Sequence, residues 1–167
     1  INTQIIDPSD LKTHGALDCP SCAHIHGRCM DAVYPFLYMA DNTGNDKYLK
    51  AAILVMEWAE NNVSQPDGSW TVIPNPKSWK GITVFGAIAL AEALQYHSNV
   101  LDEKTCREWT ERLRQAGEYI FNNFTISFTN INYGATAIYG LNLIGRVVGE
   151  EKYIEKSKEL ADGVKAY

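Results

Sequence analysis

TGNDKYL at residues 43–49 returns in the last quarter of the chain as VGEEKYI at residues 148–154. Each copy sets a glycine between an apolar stretch and an amphipathic one, and glycine tolerates the left-handed backbone that ends a helix. Before the first copy, Cys29, Ala32, Val33, Phe36, Leu37 and Ala40 fall at helical spacing, with Pro35 expected to kink that helix or shift its start. After it, Tyr48, Leu49, Ala52, Ile53, Met56 and Ala59 form a buried stripe over residues 46–61, with Lys47, Lys50, Glu57 and Glu60 facing water. Around the second copy, residues 133–148 are mostly apolar and 151–165 are amphipathic. Between the copies lies another such pair. Residues 82–97 are apolar on nearly every side, which predicts a helix buried all round. Residues 103–122 carry Cys106, Trp109, Leu113, Ala116 and Ile120 inward and are capped by Asp102. An inner apolar helix thus alternates with an outer amphipathic one three times, and repeated helical pairs mean an α-solenoid or a closed α/α toroid.

The chain has 167 residues, 46% hydrophobic and 21% charged, enough for one domain with a substantial core. A net charge of −5 gives no basic footprint, so nucleic acid is excluded as an expected partner. No apolar run is long enough to span a bilayer, so no membrane partner is expected. The chain starts at Ile1 rather than Met, which fits a removed leader or a trimmed terminus; a periplasmic or secreted location is the expectation. Residues 1–16 show no sustained period and read as an extended or loosely ordered lead-in. Residues 17–167 read as the helical-hairpin domain.

Three loops lead into the inner helices, at 18–28, 68–80 and 128–133, each within or beside a longer stretch. The first, LDCPSCAHIHGRCMD at 17–31, gathers Cys19, Cys22, Cys29, His24, His26 and Arg28. The second, at 62–80, carries three prolines, a Pro-Asp-Gly turn signal, Trp70, Trp79 and Lys80. The third, FTISFTN at 124–130, alternates and predicts a short strand or an extended loop, followed by Asn132 and Tyr133.

This order of inner and outer helices, with the G-x-x-K-Y-[LI] turn and aromatic loops ahead of the inner helices, resembles the α/α toroids of carbohydrate-active enzymes. The heparinase II/III-like polysaccharide lyases and the unsaturated glucuronyl hydrolases are such folds. The resemblance covers the chain from about Gly27 onward. A complete toroid of this kind has about six hairpins, so it implies that three hairpins form an incomplete toroid whose remaining half lies elsewhere. It also implies a substrate cleft at the end where the three loops lie. The aromatic faces there suit sugar rings, and the amide, imidazole and guanidinium groups suit their rims.

The expected function is degradation of a uronic-acid-containing poly- or oligosaccharide by β-elimination. That reaction needs a group to hold the carboxylate, a base for the proton beside it and an acid for the leaving oxygen. His26 is the candidate base, Tyr133 the candidate acid, and Arg28 and Asn132 the candidate carboxylate holders. His24, Trp70, Trp79, Lys80 and Asn130 are candidate substrate contacts; the tryptophans are sugar platforms or loop anchors. A glycoside hydrolase on the same fold is the alternative, with Asp18, Asp31 and Asp67 near the mouth. Glu92, the one carboxylate in a very apolar helix, calls for a partner or an edge. No cofactor is required. Cys19, Cys22, His24 and Cys29 suit a structural zinc, with a disulfide or plain thiols as competing states, and Cys106 reads as a core thiol. A non-catalytic helical-repeat binding module built around such a metal is the third reading.

Overall fold

A computed structural model describes residues 1–166; Tyr167, the last residue of the expected hairpin domain, lies outside them. Among the described residues the fold is all-α. Its helices are α1 (Val33–Thr43), α2 (Asp46–Asn62), α3 (Thr83–His97), α4 (Glu103–Asn123), α5 (Ile131–Val148) and α6 (Glu151–Lys165), with 3-10 turns at Gly27–Ala32 and Ser98–Val100. Pro35 does not kink α1. It falls in the first helical turn, where its missing N–H costs nothing, and the 3-10 turn takes up the chain before it. The repeated turn is the same device twice. Gly44 and Gly149 stand at φ 63° and 73°, and each amide closes onto a carbonyl four residues back, Ala40 and Gly145. A side chain at either glycine would meet nothing within 4 Å, so the demand is for the backbone angle alone. Asp102 caps α4 by accepting from the Thr105 amide at 2.8 Å.

The helices form two layers. In the inner layer α3 lies between α1 and α5; outside it α2 packs on α1, α4 on α3 and α5, and α6 on α5. Leu37, Val55, Leu90, Leu113, Ile120, Leu141 and Ile144 are wholly buried between the layers. Each such side chain stabilises the fold by about 1.5–3 kcal/mol of transfer free energy. The expectation that α3 is buried all round is corrected. Phe85, Ile88, Ala89 and Glu92 are only half-buried, and Tyr96 is exposed, as are Tyr38 on α1 and Tyr139 on α5. These residues share the side of the inner layer that no helix among the described residues covers.

The connecting segments are well anchored. Residues 1–16 are not loose. Trp58 Nε1 donates to Lys12 O at 2.9 Å, Gln4 Nε2 donates to Ala51 O at 2.9 Å, and Ala16 is fully buried, so the lead-in is folded onto α2. Residues 124–130 form a loop rather than a strand, with Phe124 and Phe128 stacked at 4.2 Å. The long loop hangs on Trp70. Its indole N–H donates to Glu60 Oε1 at 3.0 Å, and the Arg112 guanidinium lies 3.8 Å above its ring. Arg112 also donates to both Glu60 oxygens at 2.9 Å and to Gly68 O at 2.9 Å. Gly68, at φ 87°, lets the turn press against α4, where a Cβ would stand 2.2 Å from Gln115 O. The loop in turn holds the first one, because Gly27 N donates to Val72 O at 2.6 Å.

Candidate functional site

Arg28 leaves the 3-10 turn at Gly27–Ala32 with its guanidinium 4.2 Å above the Phe85 ring of α3. Its Nε and Nη2 both donate to Asp31 Oδ2, at 3.1 and 3.0 Å, an i,i+3 pair that the helical turn brings to one face. Burial pushes the Asp31 carboxyl above its usual range, with Arg28 opposing. Asp31 Oδ1 is buried without a partner. These residues and Tyr34, Ile88 and Glu92 line an open groove of about 410 Å³ along the inner layer.

Phe85 also meets Tyr133, with ring centroids 5.7 Å apart. Tyr133 also meets Trp79 edge-on at 5.7 Å and 86°, and Trp79 Nε1 donates to Tyr133 Oη at 3.3 Å. Trp79 stacks on Phe128 yet stays 42% exposed. Gly81 makes room for it, since a Cβ there would stand 2.2 Å from the indole. Arg28, Phe85, Tyr133 and Trp79 thus form a continuous cation-aromatic-hydroxyl strip over the starts of α3 and α5. Further along α3, Glu92 accepts a hydrogen bond from Tyr139 on α5, which pushes the Tyr139 phenol up to about 12. Larger hollows, of about 620 and 590 Å³, flank α4 in the outer layer. Trp109 is the one aromatic residue in their linings, and it is 9% exposed, whereas the smaller groove sets an arginine beside Phe85 and Tyr34.

The expected site residues divide accordingly. Arg28, Tyr133 and Trp79 come together. Asn132 is exposed beside Tyr133, and Asn130 caps α5 by accepting from the Asn132 amide at 3.1 Å. Trp70 is corrected from sugar platform to loop anchor, because it is wholly buried under Arg112. Lys80 is paired with the partly exposed Asp67 at 2.6 Å. Burial opposes the Asp67 charge, but hydrogen bonds from Lys80 and Ser69 hold its carboxyl below the usual range. Asp18 is exposed, and its backbone pairs with Ile25.

The histidines exchange places. His24 is exposed, with Nδ1 2.8 Å from Ala23 O, and lies outside the cysteine cluster. His26 is the imidazole that meets Cys19 and Cys22, their donor atoms all within 4.8 Å of one another, and its ring nitrogens are 3.9 and 4.0 Å from Cys29 Sγ. The hydrogen bond to His26, then that from Cys22, pulls the Cys19 thiol down to about 6, while Cys22 is pushed up by facing Cys19 and Cys29 by burial. Cys106 is half-buried on α4. Phe85 and Tyr139 carry no sequence signal, since only the packing of α3 between α1 and α5 sets them opposite Arg28 and Glu92. A further cluster at the far end of α3, His97 Nδ1 on Asp41 at 2.8 Å with Asn99 donating to the same carboxylate at 2.7 Å, ties α1 to the turn before α4.

The chain is 68% identical over its 167 residues to a broad-specificity ulvan lyase of Formosa agariphila. That match covers all of this chain and 26% of the relative, so the chain spans about a quarter of that protein's length. No solved structure matches. The model of the ulvan lyase N-terminal domain family matches residues 1–167, and the chain belongs to that family.

Proposed function

We propose that this chain forms one wall of the substrate cleft of a polysaccharide lyase that cleaves a uronic-acid-containing glycan of the ulvan type by β-elimination. The observation that carries this is the 68% identity, along the whole chain, to an ulvan lyase. The groove agrees with it in chemistry. Arg28 takes the uronate carboxylate in a fork, sharing it with Asp31, and Asn132 adds an amide. Phe85 and Trp79 lie against the apolar faces of the sugar rings. Tyr133 Oη accepts from Trp79, which leaves its own proton for another acceptor, so Tyr133 protonates the leaving oxygen as the C–O bond breaks and the double bond forms. The base that removes the proton beside the carboxylate is not assigned to His26, whose ring is held among three cysteines.

The alternation of inner and outer helices supports reading the chain as three hairpins of an α/α toroid of the heparinase II/III-like kind, closed by the rest of the protein. A polymeric substrate is met outside the cytoplasm, so the location that follows is periplasmic or secreted.

The test uses the full-length protein with ulvan, following the absorbance of the unsaturated uronate together with product mass. The expected result is rising absorbance. Tyr133→Phe lowers kcat at least about 100-fold, and Arg28→Ala raises KM more than it lowers kcat. Products heavier by one water would overturn elimination in favour of hydrolysis.

A further inference from the structure

The turn between residues 18 and 26 lacks a core of its own. None of its residues is fully buried, and its closure rests on a few backbone bonds: Ala23 N to Cys19 O at 2.8 Å, Cys19 N to His24 O at 3.2 Å, and the Asp18–Ile25 bridge. Ala23 stands at φ 54°, a left-handed backbone that alanine avoids. Apolar burial is confined to Ile25, which packs partly against the core, and local propensity does not account for so tight a turn. What the turn does achieve is convergence. Cys19 Sγ, Cys22 Sγ and a His26 nitrogen lie mutually within 4.8 Å, and Cys29 Sγ adjoins the His26 ring at 3.9 Å. All four cysteines of the chain are free thiols. Zinc takes thiolate sulfur at about 2.3 Å and imidazole nitrogen at about 2.0–2.1 Å, which places tetrahedral donors ~3.5–3.8 Å apart. Cys29 Sγ lies outside the set of three mutually close donors, so it completes the site by turning its side chain toward them.

We propose that Cys19, Cys22, His26 and Cys29 bind one structural zinc ion, which fixes the turn that delivers Arg28 to the groove. Binding releases the thiol protons to solvent, and four protein donors leave no open position on the ion. The site does not depend on the elimination reaction, and it makes His26 a ligand rather than a base. The energy that holds the turn then comes from metal coordination, as is usual where a small segment cannot bury enough apolar surface.

The experiment compares zinc content and cysteine reactivity in the full-length protein, dialysed free of loose metal. Elemental analysis is expected to show one zinc more per chain than in a Cys19→Ser/Cys22→Ser variant. His26→Cys is expected to keep that zinc, and His26→Ala to weaken its retention at least tenfold against a competing chelator. Because a ligand variant can fail to fold, the wild type is also alkylated with and without a zinc chelator and mapped by peptide mass. Cys19, Cys22 and Cys29 are expected to react only after chelation. Equal alkylation in both conditions would overturn the proposal, as would recovery of Cys19 and Cys22 as a disulfide.

Discussion

Arg112 shows how one buried cation can hold a loop. Burial lowers its pKa, Glu60 opposes that, and the guanidinium is shared among Glu60, two carbonyls of the loop and the face of Trp70. Arg112→Ala is expected to destabilise the fold by about 1–3 kcal/mol, since it takes the buried donor from the Gly68 and Ser69 carbonyls and uncovers Trp70, while Glu60 stays exposed to water. Arg112→Lys recovers little of this, because an ammonium cannot reproduce the fork. Chemical denaturation midpoints of the two variants check both statements. Acid stability follows from other single residues. Hydrogen bonds hold the carboxyls of Asp41, Asp102 and Glu118 below their usual range, led by Asn99, the Thr105 amide and Lys152 respectively. Such groups bind protons less tightly folded than unfolded. Their contribution is present above about pH 4 and is lost as the pH falls through the lowered values. Asp31, raised by burial, acts in the opposite sense, and stability falls as the pH climbs through its window. A denaturation midpoint measured against pH is therefore expected to drop on the acid side, and Asp31→Asn is expected to remove the loss on the upper side.

At the scale of the element, the loop at 62–80 carries two tryptophans with opposite fates. Gly81→Ala pushes a methyl into the Trp79 indole while leaving Trp70 untouched. The expected outcome is a several-fold rise in KM for the glycan with a smaller change in kcat, since a ring that stacks on substrate without reacting contributes to binding. Steady-state kinetics on the full-length protein measures the split. Nothing local in the sequence separates Trp70 from Trp79. The residue that decides is Arg112, far along the chain on α4. Helix ends were legible because their chemistry is local: Gly44 and Gly149 need a left-handed backbone, and Asp102 reaches its own helix's amides. The open face of α3 was not, because a helix apolar on nearly every side hides which side is uncovered. His24 and His26 alternate in sequence, and which one turns to the cysteines depends on the left-handed Ala23, a position where the residue type gives no warning.

For the whole molecule, the inner layer leaves aromatic and apolar side chains open along one side, from Tyr38 past Phe85 to Tyr139. Substrate and the rest of a longer protein both fit such a face. The three-hairpin arrangement was readable from the repeated turn, because the same glycine cap at Gly44 and Gly149 reverses the chain each time. That Phe85 meets both Arg28 and Tyr133 was hidden, because the three come from different parts of the chain and only the packing of the helices brings them together.

The anchoring of the long loop has a consequence for how the protein is cut. Ser69, Trp70 and Thr71 have no accessible surface, whereas residues 73–77 are exposed and carry Lys77 between two bends. Proteinase K, which needs no basic residue, is expected to nick within the exposed residues 73–77 long before it attacks the buried first half of the loop, as electrophoresis of a timed digest would show. The two pieces should then stay associated in native gels and separate only in denaturant, because Arg112, Glu60 and Trp70 clamp one side of the nick while Thr83, accepting from the Trp70 amide at 2.9 Å, holds the other. A single scission would thus give a split protein that keeps its groove, and its halves, expressed apart, become a means of assembling that groove on command.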